Sequence, residues 1–434
     1  MLDLIIKNGS CYIDKDLKNQ DIGIKDNKIV EIGKISNKAS EVVDAAGLTV
    51  LPGCIDTQVH FREPGSTDAE DLHSGSRAAI VGGITSVFEM PNTNPPTSNK
   101  IEFRKKLGLA KNRMFCNYAF YFGATPDNAS ELADLKDLEG CCGIKLFAGS
   151  STGNLLVQHE TDIEKIFQSS SKVVSVHSED EEILNMRKKM IKEGDVHTHP
   201  LWRNEECAIS STRRIVRIAE RYKKKAHILH VTTKQEIDFL SQHKGNITFE
   251  ITPQHLTIFA PDCYEKLGTY AQMNPPLRDK SHYDRLWYGV RNNFLDIIGS
   301  DHAPHLKANK EKNYPNSPSG MPGVQTLMPV MLNHVNNEKL SLKQLMDFVC
   351  ENPVKIFGIK NKGFIKEGFD ADFTIVDMNK KILIKNKNIE SKCGWSPFDN
   401  FEFKGTPVLT IVGGQIKMRD GQILGEPDGK PLFF

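Results

Sequence analysis

Short apolar runs alternate with helix-like periodicity through the middle of the chain. Eight of these runs have the length of buried strands, and they cover residues 54–60, 84–89, 117–122, 143–147, 172–177, 226–231, 247–251 and 297–301. Helical patterns between them include residues 74–81, 181–192, 205–222 and 234–243, and glycines follow three of these as expected C-caps. Eight strands that alternate with helices over about 300 residues predict a (β/α)8 TIM barrel, an α/β fold.

Both ends of the chain carry shorter strand patterns with turn signals between them. The N-terminal ones are residues 4–6, 22–24, 29–32 and 42–43, and the C-terminal ones are 372–376, 408–412 and 415–417. The N-terminal segment is too small for a core of its own, so we interpret the two ends as one composite β-sandwich. The predicted domains are therefore residues 1–52 and 363–434 for the sandwich and 53–362 for the barrel. Residues 307–319 are polar and rich in Asn, Lys and Pro, which predicts a mobile loop.

Composition excludes several classes of protein. The length of 434 residues, with 39% hydrophobic and 26% charged residues, suits a soluble barrel with a small second domain. A net charge of +1 gives no electrostatic reason for a nucleic-acid or membrane partner, and the basic run 223–225 is expected to be a solvated helix end. Nine cysteines without a C-x-x-C pair, together with a short N-terminal apolar run, predict a protein of the reducing cytoplasm.

Polar residues end several of the predicted strands. In the stretch LPGCIDTQVHFREPG, residues 51–65, an extended backbone would place Asp56, Gln58 and His60 on one face. Four later runs end in or carry Lys145, His177, His230 and Asp301. In a barrel of this type, catalytic groups lie at the C-terminal ends of the strands.

Each of these residues also has a structural interpretation. A strand-end His is more often a hydrogen-bonded structural group, Lys145 could simply reach a carboxylate, and Asp301 could be an N-cap. Their joint position at one end of the same predicted barrel favours a functional site. His and carboxylate ligands suit Zn²⁺, and open coordination positions are typical of a catalytic metal site.

The motifs HFREPG, EMPNTNPPT, GIKLFAGSSTG, NPPLR and SDHAPH stand in the order found in cyclic amidohydrolases. REPG indicates the dihydroorotase branch, and the chain resembles class I dihydroorotases over nearly its whole length. The resemblance implies the composite sandwich, a homodimer, and one or two Zn²⁺ ions held by His60, Lys145, His177, His230 and Asp301. It also implies a carbamate on Lys145, because a buried lysine with a lowered pKa can add CO2 as the neutral amine.

The resemblance further implies the reversible cyclisation of N-carbamoyl-L-aspartate to L-dihydroorotate, a step of pyrimidine (UMP) biosynthesis. Asp301 would be the general base that exchanges a proton with the ring nitrogen, while Zn²⁺ lowers the pKa of water. Arg62, Asn92 and His305 would hold the substrate carboxylate, Asn274 would contact the ring, and Ser319 and Gly320 would lie in a loop over it. Asn92 and Asn274 could equally be turn residues beside proline.

Gln58 departs from the family pattern, because the first metal-binding His is expected there. Gln58 could coordinate through its oxygen or through water, or one metal could be lost, which would leave Lys145, His177, His230 and Asp301. The protein could also be an inactive scaffold for a transcarbamoylase. We favour an active enzyme because the other site residues remain.

A second alternative is another cyclic amidohydrolase, such as a hydantoinase, a dihydropyrimidinase or an allantoinase. The substrates of these enzymes lack the ring carboxylate. Arg62, paired with Asn92 and His305, would then have no partner.

Overall fold

The computed structural model describes residues 1–151 and 155–434. Seven short strands form the N-terminal segment: β1 (Leu2–Lys7), β2 (Ser10–Ile13), β3 (Asp16–Asn19), β4 (Asp21–Lys25), β5 (Lys28–Gly33), β6 (Ala39–Asp44) and β7 (Thr49–Pro52). Alternation sets which face is buried in these strands. In β4, for example, Ile22 and Ile24 point into the core while the flanking Lys25 is exposed.

The strands of the central sheet are all parallel and stand in chain order. They are β8 (Cys54–Val59), β9 (Ile84–Glu89), β10 (Asn117–Gly123), β11 (Cys141–Phe147), β12 (Val174–His177), β13 (Ala226–Ile228), β14 (Ile247–Ile251) and β15 (Ile297–Ile298). A parallel bridge between Val59 and His302 joins the first edge to the last, and the His60 N–H donates to the His302 carbonyl at 2.7 Å. These contacts close the sheet, and the predicted barrel is confirmed.

Two of the predicted strands end earlier than expected. The sequence predicts strands throughout residues 226–231 and 297–301, yet β13 ends at Ile228 and β15 at Ile298. The reason is the backbone of His230 and Asp301, which have φ of +36° and +45°. A residue in this left-handed region cannot continue an extended strand. Both side chains therefore follow their strands instead of belonging to them.

Helices cover the outside of the barrel and follow most of its strands. They are α1 (Leu72–Val81), α2 (Lys100–Ala110), α3 (Ala129–Leu132), α4 (Glu160–Ser169), α5 (Glu181–Arg187), α6 (His199–Trp202), α7 (Glu205–Arg221), α8 (Lys234–Leu240), α9 (Asp262–Leu267), α10 (Lys280–Arg291), α11 (Lys307–Lys310), α12 (Leu327–Asn336), α13 (Leu342–Met346) and α14 (Asn352–Phe357). Side-chain caps set several starts. Asp71 and Ser74 form a reciprocal capping box at α1, and Thr233 and Glu236 form another at α8.

The two chain ends share a sheet. The C-terminal strands β16 (Phe373–Leu383), β17 (Glu402–Val412), β18 (Gln415–Arg419) and β19 (Gln422–Ile423) continue into β7, β2 and β3. The joint is an antiparallel pairing of β16 with β7, in which Ile375 lies opposite Val50. A second sheet, of order β5-β4-β1-β6, packs its buried residues against this one. The composite sandwich is confirmed, while the domain boundaries at 52/53 and 362/363 stay predictions.

The segment 307–319, expected to be a mobile loop, begins with α11 and buries Lys310, Tyr314 and Ser317. The prediction of a loop throughout was wrong at α11, because polar composition does not reveal which of these side chains point inward. No helix in the described part of the chain is long and apolar enough to span a bilayer. All nine cysteines are buried and free.

Asp372 ties the barrel to the sandwich. Its buried carboxylate accepts from Lys362 Nζ at 2.6 Å, from Asn117 Nδ2 at 3.0 Å and from the Gly413 N–H at 2.7 Å. Asn117 begins barrel strand β10, whereas Gly413 lies in the β17–β18 turn of the sandwich. One side chain therefore satisfies donors from both parts of the molecule.

Replacing Asp372 by Ala should lower the free energy of unfolding by about 2–4 kcal/mol, because the Asn117 amide and the Gly413 N–H lose their acceptor and the buried Lys362 keeps only Asp370, at 2.9 Å, as a carboxylate partner. The exposed pair Lys280–Asp284 supplies the control, and Asp284→Ala should cost at most about 0.5 kcal/mol. Denaturant titration of both variants measures the difference. Equal stability of the two variants would show that the Asp372 junction contributes nothing.

Candidate active site

One cavity lies at the C-terminal ends of the barrel strands. Its walls contain Gln58, His60, Arg62, Asn92, Lys145, Phe147, Ser151, His177, His230, Asn274, Asp301, Ala303, Ser319 and Gly320. The structure therefore brings together every residue that the sequence proposed for the site except His305, which lies beside the cavity against Arg62. The roles of these residues stay predictions. Residues 152 and 153 of the GIKLFAGSSTG motif lie outside the described residues.

Three residues that line the cavity have an unusual backbone. Arg62, His230 and Asp301 have φ of +62°, +36° and +45°, a region that costs about 1–3 kcal/mol for a side chain other than glycine. Each of them lies two or three residues after the end of a barrel strand, and its side chain lines the cavity. Strain of this kind is typical of functional sites.

Asp301 is the centre of one side of the cavity. Its Oδ1 accepts a hydrogen bond from Gln58 Nε2 at 3.0 Å and lies 3.2 Å from His60 Nε2. His60 Nδ1 lies 2.8 Å from Asn92 Oδ1, so we assign the ring proton to Nδ1. A neutral His60 then presents the lone pair of Nε2 to the carboxylate. Burial, followed by the charges of Arg62 and Lys145, holds the pKa of His60 well below its usual value.

The lone pairs of His60 Nε2 and Asp301 Oδ1 face each other at 3.2 Å, so a proton or a cation is needed between them. Burial raises the pKa of Asp301 to about 7, against the nearby charges of Lys145, His177 and Arg62, which lower it. At neutral pH, Asp301 can therefore both hold and release a proton.

Lys145 ends up buried in the same cavity, near the end of β11. Burial lowers its pKa to about 7, although the carboxylates of Asp301 and Glu250 act in the opposite direction. Its Nζ lies 4.5 Å from the centre of the Phe147 ring. A substantial fraction of this lysine is therefore the neutral amine at neutral pH, which is the form that can react with CO2.

His177 and His230 form the side of the cavity opposite Asp301 and His60. Their Nδ1 and Nε2 atoms lie 3.1 Å apart, close to the distance of about 3.3 Å between two nitrogen ligands of a tetrahedral Zn²⁺. His177 Nε2 lies 2.8 Å from the buried Glu179 carboxylate, which assigns the proton to Nε2 and leaves Nδ1 as an acceptor. Arg203 in turn binds Glu179 through Nε at 3.1 Å and Nη2 at 2.5 Å.

Whether the cavity can hold a metal ion depends on Lys145 and Gln58. Within residues 1–151 and 155–434, no three His, Cys, Asp or Glu side chains are grouped to hold a metal ion. Each side offers only two such groups, with Gln58 in the third place beside Asp301. Among the described residues, the buried Gln58 Oε1 has no hydrogen-bond partner. The donor set therefore fits Zn²⁺ where Lys145 is carboxylated, and where Gln58 adds its amide oxygen.

A cationic end lies beside Arg62. Arg62 Nε donates to the Pro304 carbonyl at 3.1 Å, and Nη2 lies 3.3 Å from His305 Nε2. Burial lowers the pKa of Arg62 only to about 10, so the guanidinium is charged at neutral pH. His305 Nε2 lies 2.9 Å from the Ser319 carbonyl. Gly320 has φ of +142°, and a Cβ there would lie 2.5 Å from the Ala303 carbonyl oxygen, so this position requires glycine.

Sequence reasoning missed the residues that position the site. Glu179 and Arg203 orient His177, and His199 Nε2 lies 3.1 Å from Asn274 Oδ1. For Glu179, the signal is its place two residues after His177 in the strand-end motif HSED. Arg203 and His199 carry no such signal, because their partners are remote in sequence.

Comparisons with known proteins agree with this geometry. The family model described as "Amidohydrolase family" matches residues 49–417. A protein named dihydroorotase from Methanosarcina acetivorans is 34% identical over 98% of this chain and 94% of its own length. Another protein of that name, from Methanothermobacter thermautotrophicus, is 33% identical over 99% of both chains.

Solved structures give the same fold. An L-hydantoinase (dihydropyrimidinase) from Arthrobacter aurescens has a TM-score of 0.94 and 30% identity over 100% of both chains. A D-hydantoinase has a TM-score of 0.91 and 26% identity over 99% of this chain and 98% of its own. The fold is thus shared with solved hydantoinases, and the chain belongs to the amidohydrolase family.

Proposed function

We propose that the protein is a hydrolase of cyclic amides that interconverts N-carbamoyl-L-aspartate and L-dihydroorotate in pyrimidine biosynthesis. The observation that carries this proposal is the buried, charged Arg62 at one end of the cavity that contains Lys145 and Asp301. A ring with a carboxylate would place that group against Arg62 and its reactive amide near Asp301. The relatives named dihydroorotase support the same reaction.

Asp301 would move the proton. In the ring-opening direction, its carboxylate would accept a proton from the attacking water and return it to the ring nitrogen that leaves. Gln58 Nε2 would orient the carboxylate through the hydrogen bond at 3.0 Å. In the direction of cyclisation, the same proton would travel back.

Zn²⁺, when bound, supplies Lewis-acid polarisation of the carbonyl and lowers the pKa of water. Carboxylated Lys145, His177 and His230 would hold it on one side, and His60 and Asp301 on the other. Gln58 is a neutral and weaker donor than imidazole, so we propose that the His177 side binds metal more tightly. A homodimer in the cytoplasm also stays a proposal.

A hydantoinase is the second candidate, because solved structures with a similar fold include enzymes of that name. Arg62 separates the two candidates, since a hydantoin ring has no carboxylate for the guanidinium to bind. Wild-type protein that hydrolyses hydantoin but not L-dihydroorotate would favour this second candidate.

Replacing Asp301 by Asn should reduce kcat for L-dihydroorotate hydrolysis by about 10²-fold or more, because the amide cannot exchange the proton. Zinc content, measured by elemental analysis, should remain at about half of the wild-type value or more, because the amide oxygen can still coordinate the metal. Asp284→Asn, on the exposed face of α10, is the control and should leave kcat unchanged. Near-normal turnover in the Asp301 variant would end the general-base assignment.

Replacing Arg62 by Gln should weaken binding of the carboxylate. We expect KM for L-dihydroorotate to rise about tenfold or more, with a smaller change in kcat, because a charge-assisted hydrogen bond is lost. The control is Arg217→Gln, which removes an exposed guanidinium that pairs with Glu160. Steady-state kinetics of both variants measures KM for L-dihydroorotate. An unaltered KM in the Arg62 variant would show that the carboxylate binds elsewhere.

A further inference from the structure

Lys310 is a fully buried lysine that the proposed reaction does not use. It closes α11, and its side chain has a relative exposure of 0%. Nζ donates to the carbonyl oxygens of Gln272 at 3.0 Å, Pro318 at 2.8 Å and Gly320 at 3.1 Å. An ammonium group has three N–H donors and no acceptor, so three carbonyls match the charged form of the side chain.

These carbonyls belong to two segments that border the cavity. Gln272 lies two residues before Asn274, and Pro318 and Gly320 flank Ser319. The same segments are joined by the Gly320 N–H to the Gln272 carbonyl at 2.9 Å and by Gln272 Nε2 to Ser319 Oγ at 3.1 Å. Lys310 thus sets the spacing between the residues expected to contact the ring and to cover it.

Within the described part of the chain, the positive charge of Lys310 has no carboxylate partner. Among the ion pairs of the described residues, none includes Lys310 within 4.0 Å. On another side, Nζ lies 5.7 Å from the centre of the Trp395 ring, whose Nε1 donates to the His305 carbonyl at 2.8 Å. Burial lowers the pKa of Lys310 to about 7, while the three carbonyls favour its ammonium form.

The charge of Lys310 reaches the proposed carboxylate end of the cavity. After burial, the charges of Arg62 and then Lys310 depress the pKa of His305 well below its usual value, so both cations act on this histidine. A buried cation without a counter-charge is costly, and an anionic ligand nearby would offset that cost. The carboxylate of the substrate is such a ligand.

We propose that Lys310 is a positioning residue that determines specificity: its buried ammonium locks the segments of Asn274 and Ser319 together and makes the cavity select a ring that carries a carboxylate. This inference rests on the proposed function. It assigns to Lys310 no contact with the reacting atoms.

Lys310→Met tests the assignment, with Lys312→Met as a matched control that removes an exposed lysine from the same segment. KM for L-dihydroorotate should rise about tenfold or more in the Lys310 variant, with kcat within about threefold, because the lost charge acts on binding. kcat/KM for hydantoin, an uncharged ring, should fall by a smaller factor, about threefold or less, because hydantoin loses the lock between the two segments but no attraction between charges. The control should match the wild-type protein on both substrates.

A merely structural role would give a different pattern. Equal losses on both rings in Lys310→Met, or an unchanged preference for L-dihydroorotate, would overturn the assignment. Lys310→Arg keeps the charge, and it should retain the preference for the carboxylated ring even if kcat falls. Loss of that preference in the Arg variant would also overturn the assignment of Lys310. The comparison of the Arg variant with the wild-type protein can be made even if the Met variant does not fold.

Failure of this inference is distinguishable from failure of the proposed function. Wild-type protein that does not turn over L-dihydroorotate would overturn the proposed function before any variant is compared. Wild-type turnover of L-dihydroorotate, combined with unchanged selectivity in Lys310→Met, would overturn the assignment of Lys310 alone.

Discussion

Exclusion of water from the C-terminal end of the barrel is the constraint on which the candidate site depends. Burial moves the pKa of Lys145 down from 10.5 and that of Asp301 up from 3.8, both to about 7. In a hydrated cleft, Lys145 would remain an ammonium and could neither accept CO2 nor bind a cation. The same burial raises the pKa of Asp301 into the range in which the proposed proton exchange can take place at neutral pH.

The junction between the first and last strands of the barrel brings His60 and Asp301 together. Val59 pairs with His302 where the sheet closes, so His60 and Asp301, the next residue and the preceding one, face each other across the seam. His302 is itself fixed, because its Nδ1 accepts from the Gly323 N–H at 3.0 Å and its Nε2 lies 3.3 Å from the Glu70 carboxylate. Closure of the fold and geometry of the site therefore rest on the same few residues.

Local pattern was enough to predict the barrel because its strands are continuous apolar runs. Strands β9 and β14 have the bounds expected from the sequence. The ends of β13 and β15 were not predictable, since the left-handed backbone of His230 and Asp301 depends on tertiary contacts and not on their residue type. The cavity residues could be predicted because they lie in short sequence motifs at the ends of the predicted strands.

Residues that act through others left much weaker signals. Arg203 binds Glu179 over a separation of 24 residues, and nothing near either of them in sequence indicates the pair. Lys310 looked like any lysine of a polar segment, because its partners are backbone carbonyls that every residue possesses. Gln58 is visible in the sequence as a departure from the family pattern. Only the structure shows that its Nε2 donates to Asp301 and that its Oε1 has no hydrogen-bond partner among the described residues.

Zinc content measured together with L-dihydroorotate turnover, on protein purified without chelator and supplied with bicarbonate, tests the central claim most directly. The account predicts at least about one zinc per chain, with turnover that is lost when the metal is removed and returns when it is restored. About two zincs would mean that Gln58 is tolerated as a ligand, and about one that the His177 side holds the metal alone. Turnover that persists without metal, or zinc-loaded protein that leaves L-dihydroorotate unchanged, would contradict it.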